Sequence, residues 1–199
     1  MIEKPTNYDE IQLNENFTPI ELGGHKGVIM GAEKYTSDFS GNTSLKVSVD
    51  TDKDDKQPNY FTDMYKNDEK EDKKWSNQAI KYVSLKNDEN CVKMLKSFIT
   101  AVENSNPEFT YDWNKDTTQL KGKKVGIVFG LEEYKAQDGQ IKTIAKLNQF
   151  RSIDKVDNAP IPRVKLENGT FVAYEDYKNK KTTTDDDYEV IVEETDLPF

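Results

Sequence analysis

The sequence predicts a mainly β protein, in which five strands form a barrel with one helix between the third and fourth, followed by an extended acidic C-terminal tail. Three observations predict it. Apolar and polar residues alternate in short runs between residues 27 and 66. One amphipathic helical stretch follows at 89–103. Two further alternating runs then flank Asp138-Gly139, the favoured pair for a tight hairpin. Three strands, a helix and two strands is the element order of an OB barrel. A chain of 199 residues is long enough for one good core. The organisation read from it is an N-terminal arm over 1–20, an OB-fold domain over 21–177 and an acidic tail over 178–199.

The arm carries Pro5 and Pro19 and little periodicity. Gly27 to Tyr35 reads as the first strand, with Gly31 marking a bend or bulge. Phe39-Ser40-Gly41-Asn42-Thr43 supplies turn chemistry. Leu45, Val47 and Val49 then alternate with Lys46, Ser48 and Asp50, the pattern of a half-buried second strand. A charged turn at 52–56 leads to a third strand from Asn59 to Lys66. Residues 67–74 are charged apart from Asn67 and read as an exposed loop, and the segment from Trp75 to Leu85 is unassigned. Asn87 or Asp88 caps the helix, whose Val92, Leu95, Phe98, Ile99 and Val102 share one face. Asn104 to Pro107 end it. Lys123 to Lys135 is the fourth strand and Ile141 to Arg151 the fifth. Residues 153–184 read as partly ordered coil with one short hairpin at Asn168-Gly169.

Composition excludes several classes. The formal net charge is -9, but 21 aromatic residues argue against a disordered chain. No run of 18 apolar residues exists, so no membrane helix is expected, and no secretory signal is read at the start. One cysteine and one histidine provide neither a disulfide nor a zinc set, so a cytoplasmic protein without cofactors is expected. Cys91 reads as a packing residue and His25 as a residue that caps or solvates a loop. No dinucleotide or Walker phosphate-binding motif is present, and the acidic loops lack calcium-loop spacing.

The charge is unevenly distributed. Residues 1–119 carry a net -7, residues 120–184 a net +5, and residues 185–199 a net -7. A basic body beside an acidic tail points to an anionic partner for the first and an interaction role for the second. A single-strand binder needs a basic groove that follows phosphates and aromatic faces that stack bases. Tyr60, Tyr65 and Trp75 supply candidate rings. Lys142, Lys146, Phe150 and Arg151 read as an outward basic face of the fifth strand, extended by Lys123, Lys124 and Arg163. Phe109, Tyr111 and Trp113 form either a stacking platform or a plug for the barrel end.

The chain ends Asp196-Leu197-Pro198-Phe199, behind acidic residues that start at Asp185. This resembles the C-terminal tip of bacterial single-stranded DNA-binding proteins. The body is similar to the longer single-stranded DNA-binding proteins of phages of Gram-positive bacteria. The cues are Ser40-Gly41-Asn42-Thr43 before an alternating strand, Leu95-Lys96-Ser97-Phe98-Ile99 and Gly122-Lys123-Lys124-Val125. The resemblance implies an OB fold, no enzymatic activity, sequence-nonspecific binding of single-stranded DNA in DNA replication and recombination, and recruitment of partner enzymes by Asp196 to Phe199. A protein-binding adaptor and a metal-dependent nuclease stay open as alternatives, as does assembly into a homo-oligomer.

Overall fold

A computed structural model describes residues 18–182 of the chain. The protein is mainly β. Strands β1 (Gly23–Thr36), β2 (Thr43–Thr51), β3 (Ile80–Ser84), β4 (Lys124–Lys135), β5 (Ile141–Arg151), β6 (Val164–Lys165) and β7 (Phe171–Val172) form one sheet. Helices α1 (Tyr60–Asn67), α2 (Glu89–Ser105) and α3 (Tyr174–Thr182) accompany it.

The strand order is β3-β2-β1-β4-β6-β7, with β5 bonded to β4. Every ladder is antiparallel except the Glu132–Lys165 bridge between β4 and β6. β1 serves two neighbours. Its Gly23 to Val28 pair with β4, and its Gly27 to Thr36 pair with β2 across a bulge between Ile29 and Gly31. Among the described residues no ladder joins β3 to β5, although the two lie against each other. The sheet is therefore open rather than a closed five-stranded barrel.

The segment expected as the third strand is α1. Its local alternation gives no warning of this, because the helix is capped from a distance. The buried Asp50 carboxylate, at the end of β2, accepts the backbone N–H groups of Phe61 (2.8 Å) and Thr62 (3.0 Å). Thr51 Oγ1 accepts that of Tyr60 at 2.9 Å. Three donors that a helix start leaves orphaned are satisfied in this way. Phe61 is buried in the core, with Tyr60 and Met64 partly buried beside it, which is a helical and not an alternating set. The true third strand is the short run Ile80–Ser84, inside the segment left unassigned.

α2 forms as its sequence predicts. The Asp88 side chain accepts the Cys91 N–H at 3.0 Å, and Phe98, Ile99, Ala101 and Val102 are buried. Asn106 closes it by donating to the Val102 carbonyl and exchanging hydrogen bonds with the Lys124 backbone. The core lies between this helix, α1 and one side of the sheet, where Val47, Val49, Val83, Ile127, Phe129 and Leu147 meet Phe61 and Phe98.

Residues 153–163 are not loose coil. They run over the outer side of β4, where Gly24 and Gly126 leave room for them, so Val128 is buried as completely as Ile127. The hairpin at Asn168-Gly169 forms as expected between β6 and β7, with Gly169 at φ +83°. Buried Tyr177 of α3 donates its hydroxyl to Glu133 of β4 at 2.8 Å and bonds Thr143 of β5. α3 crosses the boundary expected at 177/178.

His25 is fully buried rather than solvated. Its Nδ1 lies in hydrogen-bond contact with Asp55 Oδ1 at 2.8 Å and its Nε2 with the Glu21 carbonyl oxygen at 3.0 Å. Burial pushes the Asp55 carboxyl up, but hydrogen bonds from His25 and the Gln57 and Lys26 N–H groups outweigh it and hold the carboxyl below its ordinary value. The charged turn at 52–57 is thereby pinned to β1.

Candidate nucleic-acid interface

The outer face of the sheet follows from register. On β1 and β2 the residues opposite the core side are Glu33, Tyr35, Ser44 and Lys46, and on β3 they include Tyr82. Tyr82 is 46 % exposed and Tyr35 39 %, and their ring centroids lie 5.4 Å apart at 56°. The two rings are open to water and support each other rather than the core. Phe39, in the turn between β1 and β2, is fully exposed. Lys46 stands opposite Tyr82 on one side and Glu33 on the other, and it pairs with Glu33 at 2.8 Å, whose hydrogen bond holds the ammonium above its ordinary value.

Tyr82 also lines a cleft of about 140 Å³ where β3 faces β4 and β5. Ile80 and Tyr82 form one wall, and Glu132, Tyr134, Ile144 and Lys146 the other. Asn77 and Gln78, in the 3₁₀ turn that enters β3, complete it. Glu132 is paired with Lys165 and, at 3.8 Å, with Lys146. Lys81 belongs to the same charge cluster. Burial holds its ammonium below the ordinary lysine value; Glu132 pulls it up, and Lys146 and Lys165 push it down. Two lysines, Lys146 and Lys165, thus pair with one carboxylate beside an aromatic-walled cleft.

Of the residues expected in the binding face, Lys142 and Lys146 share a face with Tyr134 and Ile144, as the alternation of β5 predicts. Lys146 lines the cleft and Lys142 lies 3.6 Å from Asp138. Phe150 does not join them. The β4–β5 ladder slips at Asn148, so Leu147 pairs with Phe129 and Phe150 with Ile127. One extra residue turns Phe150 to the core side, where its ring sits 4.6 Å from Phe98. Arg151 is half-buried, with its Nε sealed in the interior. Arg163 donates to the Phe171 carbonyl.

The remaining candidates lie elsewhere. Tyr60 packs edge-to-face on Phe61, and burial pushes its phenol up to about 12. Tyr65 and Trp75 stack at 6.0 Å, and the Trp75 indole donates to the Val49 carbonyl at 3.1 Å. These two close the core beside α1. Lys123 sits over the Phe109 ring at 4.6 Å. Lys124 pairs with Asp52 at 3.2 Å and Asp54 at 3.7 Å. Phe109 and Tyr111 pack on the core, while Trp113 is 69 % exposed with its ring against Tyr111. The triplet is mostly plug. The tip residues Asp196, Leu197, Pro198 and Phe199 lie outside the described residues.

Sequence reading missed Tyr35, Tyr82, Tyr134, Gln78 and Lys81. The usable signal was Ile80-Lys81-Tyr82-Val83, four residues in which β-branched and aromatic types could have marked a strand and placed Tyr82 outward. Among the described residues no three His, Cys, Asp or Glu side chains are grouped to hold a metal ion, and no helix is long and apolar enough to cross a membrane. No known protein-family model and no curated protein matches the chain.

Proposed function

We propose that this protein binds single-stranded DNA, holding phosphates with lysines and stacking bases on the outer tyrosines. The observation that carries the reading is the exposed Tyr35–Tyr82 pair running into a cleft where Lys146 and Lys165 share one carboxylate, Glu132. Base faces of every kind stack on aromatic rings, so such a surface grips a strand without a required sequence. Folded duplex hides those faces and is excluded by the same logic. The strand path β3-β2-β1-β4-β5, with α2 inserted between β3 and β4, supports reading the sheet as an OB barrel left unlaced at the β3–β5 seam. The resemblance to phage single-stranded DNA-binding proteins supports the same role in replication and recombination. In it the acidic residues from Asp185 raise encounter rates with basic partner enzymes, and Phe199 offers them a ring and a carboxylate.

The test is a titration of labelled oligo-dT and of duplex by anisotropy, over a range of salt. The single strand is expected to bind more tightly. If three or four lysines each meet a phosphate, log K falls linearly with log[salt] with a slope of about -2 to -3. Equal affinity for duplex, or affinity that ignores salt, overturns the reading. The chain ending at residue 184 is expected to bind oligo-dT at least as well, because the tail competes for the same lysines.

A further inference from the structure

Phe39 is the most exposed large apolar side chain among the described residues, at 101 %. It stands on the turn between β1 and β2, and that turn is firmly built. The Ser37 N–H donates to the Asn42 carbonyl at 3.0 Å, and the Gly41 N–H to the Ser37 carbonyl at 2.8 Å. Ser37 Oγ accepts the Ser40 N–H at 3.3 Å, and Gly41 takes the φ of +65° that closes the bend. Below the turn the ladder continues to Thr36–Thr43, whose hydroxyls lie 3.2 Å apart. A turn fixed by its own hydrogen bonds thus holds a phenyl ring in water.

Register relates that ring to the site. Tyr82 belongs to the row Glu33–Lys46–Tyr82, and Tyr35 to the row Tyr35–Ser44–Ser84, two residues further along β1. Phe39 follows four residues after Tyr35, so their Cα atoms are at most about 14 Å apart. A stacked strand advances 3.4 Å per nucleotide, so about four nucleotides cover that gap. The three rings come in order from the cleft to the tip of the hairpin. The neighbours of Phe39 decide what it meets. Ser37, Asp38, Ser40, Gly41 and Asn42 share the turn, and none is apolar. An anchor for a protein partner works inside a packed patch that excludes water, which this turn does not supply. Stacking a base needs only a ring face.

We propose that Phe39 is the outer stacking position of the single-strand site, so that the strand leaves the cleft over Tyr82 and Tyr35 and meets its last ring at the tip of the β1–β2 hairpin. The proposal rests on the single-strand reading above and adds to it a ring and a direction, along β1 and β2. The turn holds no lysine, so the contact at the tip is to a base and not to a phosphate.

The experiment measures by anisotropy the affinity of the full chain and its Phe39 variants for labelled oligo-dT and for an abasic strand of the same length. Both strands carry the same phosphates, and only the first offers base faces. Phe39→Ala is expected to bind oligo-dT about 5-fold or more weakly, the lower end of what one stacked base contributes, and to bind the abasic strand as the parent does. Phe39→Leu, apolar but without a ring, should lose most of the same affinity, and Phe39→Trp should keep it. All three should melt with the parent, because the side chain is fully in water. Parent-like affinity of Phe39→Ala for oligo-dT, as expected if the ring served a protein partner, overturns the proposal and leaves single-strand binding standing. Equal losses on both strands, or a Phe39→Leu that binds like the parent, overturn stacking as the role of the ring. A parent chain that binds neither strand overturns the proposal together with the function it rests on.

Discussion

Replacing Tyr82 by alanine is expected to weaken binding of a short single strand by about 1–3 kcal/mol, the contribution of one stacked base, which is roughly 5- to 150-fold. Tyr82 sits where the two parts of the interface meet, with Tyr35 on one side and the cleft on the other. Tyr35→Ala should act in the same direction. The double variant should lose less than the two losses together, because each ring loses its neighbour when the other is removed. Neither ring supports the core, so both variants should melt close to the parent. Trp113 is the natural control: it is the more exposed ring, at 69 %, but it stands on the loop between α2 and β4, apart from the cleft. Trp113→Ala is expected to leave affinity unchanged. Anisotropy titration of the four variants decides the matter, and a loss confined to Trp113→Ala would move the interface to that loop.

Gly24→Ala is expected to be among the most destabilising single changes in the chain. A Cβ at residue 24 would lie 1.8 Å from the Val156 carbonyl oxygen and 2.7 Å from its carbon. These are backbone atoms, so no side-chain rotation relieves the clash. Gly126 meets the same segment, with the Arg151 oxygen and Val156 Cβ each at 2.8 Å. Either the strap over 153–163 lifts from β4 and uncovers Val128, or β1 shifts against β4. Overpacking typically costs about 1–3 kcal/mol and occasionally more, and a backbone clash belongs at the upper end. For a domain of this size that is a fall in melting temperature of roughly 6–12 °C. A Gly24→Ala protein that melts with the parent would mean that residues 153–163 do not pack there.

Elements specified by neighbouring residues were legible in the sequence. α2 announces itself through the Asp88 cap and the spacing of Phe98, Ile99 and Val102. The β4–β5 hairpin does so through Asp138-Gly139, with Gly139 at φ +84°. What distant residues specify was not legible. α1 is helical because Asp50 and Thr51 reach its first amides from the end of β2, and Tyr60 to Tyr65 alternate in sequence all the same. The bulge at Asn148 has no glycine to mark it, so Phe150 was assigned the wrong face. The candidate site shows the same division. Lys142 and Lys146 could be read from the alternation of β5. Tyr82 was marked only by the residue types of Ile80 to Val83, because β3 is too short for its period to stand out, and Gln78 becomes visible only when folding seals its amide.

Photocrosslinking tests the central claim most directly. A single strand carrying a photoreactive base is irradiated on the full chain and the modified peptides are identified by mass spectrometry. Modification is expected on Tyr82 first, with Tyr35 and Tyr134 beside it. Crosslinks that fall only on Trp113 or Tyr65, or none at salt concentrations where a complex is present, would contradict a strand held on the outer face of β1 to β3.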